Sequence, residues 1–263
     1  MPWKGLIMRA AEYDLMRAVE DEHWWHAVLR SLVENALAGR LPPRGRLLDA
    51  GCGSGGMLEL LRRRMGDLDV TGIDAAEQAV RHCHERGLHT VQKGTVEALP
   101  FADAAFDAVL SLDVLYHAEV NEEWALAEMG RVLCRNGLLV LNLPAFVALS
   151  GAHDVAVSGA RRYEASQVQA LLERISFTVE VIHYWNAWLF VPLLAWRRLS
   201  RLKKEDAASD LKLTPEWMNP WLAGLGRVDA TLCRELRLPF GSSVFAVARK
   251  MTGSPGGMQH GRN

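Results

Sequence analysis

The chain has 263 residues, 49% of them apolar and 23% charged. That is longer than one typical domain of about 100–150 residues but short enough for a single α/β domain with additions, and the mix excludes a disordered chain, a collagen-like fibre and a coiled coil. With 30 basic and 31 acidic residues there is no global field to gather a polyanion, so nucleic acid is not an expected partner.

Residues 1–44 read as an N-terminal helical cap. Arg46 to Ala50 is a short apolar run ending in a glycine turn, which predicts a first strand. Met57, Leu58, Leu61 and Met65 then recur at helical spacing. Leu68 to Ile73 is a second strand, stopped at Asp74, and a helix through Gln78, Val80 and Cys83 closes near Gly87. Thr90 to Gln92 is a short third strand and Phe106 to Ser111 a fourth. Asn121 is a good N-cap, with Glu122 and Glu123 in the first turn of a helix carrying Trp124, Met129, Val132 and Leu133. Asn136-Gly137 turns the chain into a fifth strand, Leu138 to Leu143. This alternation builds a parallel sheet with helices on both faces.

The second half differs. After a long connection over 144–162, Val168, Leu171, Leu172 and Ile175 mark a helix from Glu164 to Ile175. Phe177, Val179 and Val181 alternate with polar residues as a strand, and Ser242 to Arg249 is the last one. The segment between them opens with an apolar run over 185–196, in which Pro192 should break or kink a helix. Five basic residues follow within 197–204, then two helix starts, Thr214-Pro215 and Asn219-Pro220. The expected organisation is a core of 45–186 plus 241–251, a helical insertion at 187–240 and a mobile tail at 252–263.

Cys52, Cys83, Cys134 and Cys233 show no C-x-x-C spacing, and scattered thiols suit a reducing compartment. Lys4, Arg9, Glu12 and Asp14 spoil a signal-peptide reading, and no apolar run reaches the ~20 residues of a spanning helix. The expected location is the cytoplasm. Carboxylates are scattered, so no metal is expected. Eight of the nine tryptophans lie outside 45–144, so the flanks read as aromatic additions to an aliphatic scaffold.

The strongest signal is LLDAGCGSG at 47–55, a strand, a glycine turn and a helix start. Glycines there let a ligand approach the backbone, and helix-start N–H groups bind anionic groups. Asp74 ends the next strand, where an acid accepts hydrogen bonds from ribose hydroxyls. Together they point to a nucleoside-type cofactor.

With VTGIDAA at 70–76, GTVEALPF at 94–101, FDAVLSLDVLYH at 106–117 and EMGRVLCRNGLLVLNLP at 128–144, the sequence resembles the class I, seven-strand, Rossmann-like S-adenosylmethionine-dependent methyltransferases, in their small-molecule branch. The resemblance implies a mostly parallel seven-stranded sheet with an antiparallel C-terminal strand. It implies S-adenosylmethionine held by Gly51, Cys52, Gly53 and Gly55, with Asp49 orienting its amino group. Asp74 and Ala75 would take the ribose, Val96 would bound the adenine and Leu112 would face the methionine. Thr95 stands where the family often has Asp for the adenine amine. His23-Trp24-Trp25 matches an N-terminal segment of many relatives, from which Trp25 and Arg30 are carried over as cofactor contacts.

Methyl transfer is an in-line displacement on a sulfonium, so the protein must align a nucleophile and, where needed, remove its proton. Aromatic faces such as Trp24, Trp25 and Tyr116 can contact the sulfonium. His117, after the fourth strand, and His153, after the fifth, are the expected bases. Tyr116, Arg161, Arg162 and Tyr163 are the expected substrate contacts, the arginines through an acidic group. Relatives often read Gly-His-x-Arg-Tyr in that loop, whereas Ala160 follows Gly159 here. The insertion leaves three readings open: a peripheral membrane anchor, a lid or homodimer surface, and a helix buried on the sheet edge. The expected activity is methyl transfer to an O atom, ahead of N or C, of a small and fairly hydrophobic molecule. The alternatives are a membrane-surface enzyme on a lipid-linked or saccharide acceptor, and a cofactor-binding protein without methyl transfer.

Overall fold

The computed structural model describes residues 17, 20–151, 159, 161–203 and 215–251. Among these the strands are β1 (Arg46–Ala50), β2 (Asp69–Asp74), β3 (Val91–Lys93), β4 (Phe106–Leu112), β5 (Leu133–Pro144), β6 (Phe177–Trp185) and β7 (Ser243–Lys250). They form one seven-stranded sheet in the order β3-β2-β1-β4-β5-β7-β6. The first five run parallel, and β7 lies antiparallel between β5 and β6. The fold is therefore Rossmann-like and mostly parallel. The order reverses at β1, so the turn after β1 opens into the crevice where ligands bind in such sheets.

The helices are α1 (Trp24–Leu37), α2 (Gly56–Arg64), α3 (Glu77–Glu85), α4 (Glu122–Val132), α5 (Ala165–Arg174), α6 (Ala187–Lys203) and α7 (Asn219–Leu236). They sandwich the sheet because its two faces are both apolar. One core joins Leu48, Val109, Leu139 and Ala246 to Leu126, Met129 and Leu172. The other joins Leu47, Leu110, Val140 and Val247 to Val28, Val33, Leu58 and Ala230. Alternate residues of each strand feed opposite cores, as the two-residue strand period demands.

Several boundaries differ from the sequence reading. β5 begins at Leu133, not Leu138, because Leu133 pairs with Phe106 before a register shift, and Asn136 with φ +60° is absorbed inside the strand. β6 runs on to Trp185, whose side chain is wholly buried, so the first residue of the apolar run belongs to the sheet. Asn186 turns at φ +60° and α6 follows. Pro192 sits inside α6 without ending it. It forgoes one intrahelical bond, while the helix start is secured by Asp229 of α7, whose carboxylate accepts from the Ala187 and Trp188 N–H groups at 3.1 and 3.0 Å. Asn219 does act as a cap, but for another helix: its side-chain oxygen accepts the Trp24 N–H at the start of α1, 3.2 Å away. Pro215 leads only into a single 3-10 turn, Glu216–Met218. Among the described residues no helix is long and apolar enough to cross a membrane.

Candidate active site

The glycine turn carries three positive φ angles, +96° at Gly51, +54° at Gly53 and +84° at Gly55, conformations that side chains resist. At Gly51 the need is doubled, because a Cβ would run into Val114 from the loop after β4. Asp74 shapes the turn from the neighbouring strand. One of its carboxylate oxygens accepts the Gly53 N–H at 2.9 Å and the other the Ala76 N–H at 2.9 Å. Ala75 is exposed beside Asp74.

Asp49 lies beneath the turn, 2% exposed, and its Oδ1 has no hydrogen-bond partner. Burial, with the negative charges of Asp74 and Glu20 nearby, pushes its carboxyl up to about 7. Cys52 gives the turn only its backbone: its Sγ packs inward, 4.0 Å from that of Cys83. Val96 is buried beyond β3, and Thr95 forms a small bridge with Ala98.

The N-terminal segment closes on this turn through charges that the sequence reading did not connect. The buried Glu20 accepts from the Ser54 hydroxyl at 2.5 Å and from Arg86 at 2.6 Å. Arg30 lies against Gly56 at the start of α2, but its guanidinium is bound to Asp21 at 3.1 Å. The Trp25 ring packs, tilted by 30°, 5.4 Å from that of Trp185, the buried end of β6.

At the end of β4, Leu112 is half-buried and Asp113 follows it at φ +55°. The sequence reading passed over Asp113. Its carboxylate accepts the Asn142 side-chain N–H at 2.8 Å, its own N–H donates to the Asn142 carbonyl at 2.8 Å, and Asn142 accepts the Trp185 indole N–H at 2.9 Å. Burial pushes the Asp113 carboxyl up to about 7, against the downward pull of the Asn142 bond and the Arg162 charge.

The remaining candidates divide. His117 lies in the loop after β4, its ring 4.3 Å from that of Tyr116. His153 lies outside the described residues. Arg161 is used to hold that same loop, donating to the carbonyls of His117 at 2.9 Å and Val120 at 3.0 Å. Tyr163 is buried, with its hydroxyl on the Leu115 carbonyl at 3.0 Å and the Glu122 carboxylate at 2.6 Å. Arg162 donates to the Ala145 carbonyl at 2.9 Å. Phe146, after β5, stacks on Tyr184 at 5.0 Å and meets Phe190 at 5.3 Å, and Phe190 meets Phe240 at 5.4 Å, which makes an aromatic wall at this edge of the sheet. Asn186 is fully buried there with neither side-chain atom partnered. A separate cavity of about 140 Å³ lies between α1, β6, β7 and α7, lined by Asn35, Arg40, His183 and Arg227.

Residues 48–141 match the family described as a methyltransferase domain, and the sheet order and glycine turn are those of its fold. Residues 48–141 form a methyltransferase domain, and the fold around it is that of the class I S-adenosylmethionine-dependent methyltransferases. It is 32% identical over 196 residues to a ubiquinone biosynthesis O-methyltransferase of Methylocella silvestris, covering 70% of this chain and 66% of that one. It is 28% identical over 169 residues to a probable S-adenosylmethionine-dependent methyltransferase of Mycolicibacterium smegmatis, covering 61% and 62%. The chain thus spans a little under two thirds of the length of each. A geranyl diphosphate C-methyltransferase from Streptomyces coelicolor, solved with Mg2+, geranyl diphosphate and S-adenosyl-L-homocysteine, superposes with a TM-score of 0.57 at 16% identity, covering 86% of this chain and 79% of that one.

The family's cofactor is S-adenosylmethionine, and the residues present fit it on one observation. The buried Asp49 oxygen lacks a partner and is surrounded by acids, so a cationic amino group is the ligand that its environment lacks. Among the described residues no cluster of His, Cys, Asp and Glu is arranged to hold a metal ion.

Proposed function

We propose that this chain transfers a methyl group from S-adenosylmethionine to an oxygen atom of a small, fairly hydrophobic molecule in the cytoplasm. The observation that carries the reading is the placement of Asp113: a carboxyl poised near neutrality by burial, at the end of β4, on the same sheet edge as the aromatic wall of Phe146, Tyr184 and Phe190. The bound cofactor would supply an activated methyl group. The chain would supply alignment, exclusion of water and a base for the acceptor proton.

In this reading Asp49 binds the amino group, Asp74 the ribose, and the turn from Gly51 to Gly55 the rest of the methionine part. Asp113 joins His117 and His153 as candidate base. An oxygen acceptor is favoured by the O-methyltransferase at 32% identity. Arg161 and Tyr163 act as positioning residues, because their polar atoms hold the loop that carries Tyr116 and His117. Asn186 is the strongest polar candidate for the acceptor, since a buried amide with no partner is costly unless a ligand or water completes it.

The test is turnover of S-adenosylmethionine to S-adenosylhomocysteine with a panel of apolar phenols, hydroxy acids and amines. Product with hydroxylated acceptors is the expected result. Cofactor binding with no product from any acceptor would favour a binding protein without methyl transfer.

A further inference from the structure

The cavity of about 140 Å³ between α1, β6, β7 and α7 shares no lining residue with the glycine turn, with Asp113 or with the aromatic wall. Its floor is apolar, made by Val28, Leu32, Val181 and Phe245. Its rim is cationic: the exposed Arg40, Arg227 and Arg234 line it, and among the described residues no Asp or Glu does. Two of these charges are matched nearby, Arg40 by Glu180 at 3.2 Å and Arg234 by Glu235 at 2.7 Å. Arg227 differs. Its Nε donates to the Ser31 hydroxyl at 3.0 Å, a neutral partner, and among the described residues no carboxylate pairs with it. The one strongly buried polar side chain of the lining is His183, 6% exposed. Its Nδ1–H donates to the Tyr184 carbonyl at 2.8 Å, which fixes the tautomer. Burial, with the Arg234 charge, holds the ring below its ordinary pKa, so near pH 7 it is neutral and Nε2 is a bare acceptor. Among the described residues nothing donates to Nε2.

We propose that this cavity binds a small hydroxylated aromatic acid, with its carboxylate on Arg227, its ring on the apolar floor and its hydroxyl donating to Nε2 of His183. Size, charge and polarity select this class together. A cavity of about 150 Å³ holds one benzene ring, and this one is close to that volume. A guanidinium with no carboxylate partner is a ready site for one. A buried acceptor with no donor is costly until a ligand or water completes it. An inorganic anion would answer Arg227 and leave the apolar floor wet. A plain hydrocarbon would cover the floor and leave both polar groups unanswered. The proposal needs only this cavity and is independent of which atom is methylated.

The experiment is calorimetric titration of the full chain, saturated with S-adenosylhomocysteine, with 3- and 4-hydroxybenzoate, benzoate, phenol and inorganic phosphate. At least one hydroxybenzoate should bind about tenfold more tightly than phenol or phosphate, and more tightly than benzoate. Arg227→Met, at an exposed position, should keep the parent's circular dichroism and weaken that binding about tenfold. His183→Asn keeps a side-chain N–H for the Tyr184 carbonyl and should erase the advantage of the hydroxybenzoate over benzoate. Should His183→Asn misfold, Leu32→Phe serves: it fills the cavity from a half-buried position and should abolish uptake. Absence of binding by both hydroxybenzoates at millimolar concentration would overturn the proposal, as would a folded Arg227→Met that binds like the parent. So would binding lost in Asn186→Gly and kept in Arg227→Met, since the acid would then occupy the acceptor pocket.

Discussion

Asp74 accepts the Gly53 N–H at 2.9 Å and thereby braces the cofactor turn from the adjacent strand. Its second oxygen holds the Ala76 N–H at the start of α3, so one side chain sets the position of two loops. Asp74→Ala should leave both amides short of a charged acceptor in a buried setting. We expect a loss of roughly 1–3 kcal/mol in stability together with at least tenfold weaker S-adenosylmethionine binding, read by urea titration and calorimetry. Unchanged stability would show that the turn holds its shape without this brace.

The proposed contact of Asp49 with the cofactor's amino group predicts an affinity that depends on pH. In the free protein its carboxyl ionises near 7, above the ordinary carboxylate range. The cofactor's cationic amino group requires the ionised form. Affinity should therefore fall as pH drops below about 7, approaching tenfold per unit, with a proton released on binding. Asp49→Asn should bind weakly and lose the pH dependence. Calorimetry in two buffers of different ionisation enthalpy measures the released proton.

Asp113 predicts a pH–rate profile. A base works in its ionised form, so at saturating cofactor kcat/KM for the acceptor should rise through about pH 7 and level off above it. Asp113→Asn keeps an acceptor for the Asn142 N–H, so the fold should persist. Its kcat should drop by about 10²–10⁴ with the break near 7 gone. If His117→Gln abolishes the break and Asp113→Asn does not, the histidine is the base.

Arg161 donates to the carbonyls of His117 and Val120, and replacing it with Met should leave them short of a charged donor. A loss of about 1.5–3 kcal/mol is expected, measured by denaturant melts. The cofactor Kd should change little. A large rise in acceptor KM with unaltered stability would instead return Arg161 to the role of a substrate contact.

Asn186 at φ +60° can be replaced by Gly without backbone strain. Because its amide atoms are unpartnered, Asn186→Gly should cost little stability. The acceptor KM should rise several-fold while cofactor affinity holds. A KM equal to the parent's would mean that the amide serves conformation alone.

The strands β1 to β5 and the glycine turn after β1 were legible because their chemistry is written in contiguous residues. A glycine turn between an apolar run and a helix start has few structural outcomes, and the period of the flanking strands assigns their faces. Asp113 was missed because its meaning depends on Asn142 and Trp185, which no local pattern links to it. Arg161 was read as a substrate contact, and its bonds to the His117 and Val120 carbonyls could not be foreseen, because no local pattern links it to that loop.

The amino-acid order alone thus decided where the chain turns, which residues are apolar at which spacing, and hence the sheet and the edge on which the glycine turn lies. Only the tertiary structure decided which polar groups find partners: Asn219 caps a helix far away in sequence, Glu20 fastens the cofactor turn, and Asp49 and Asn186 are left with unanswered atoms. The reason is physical. Periodicity and turn chemistry act within a few residues, whereas burial and hydrogen bonding are settled only when distant segments meet.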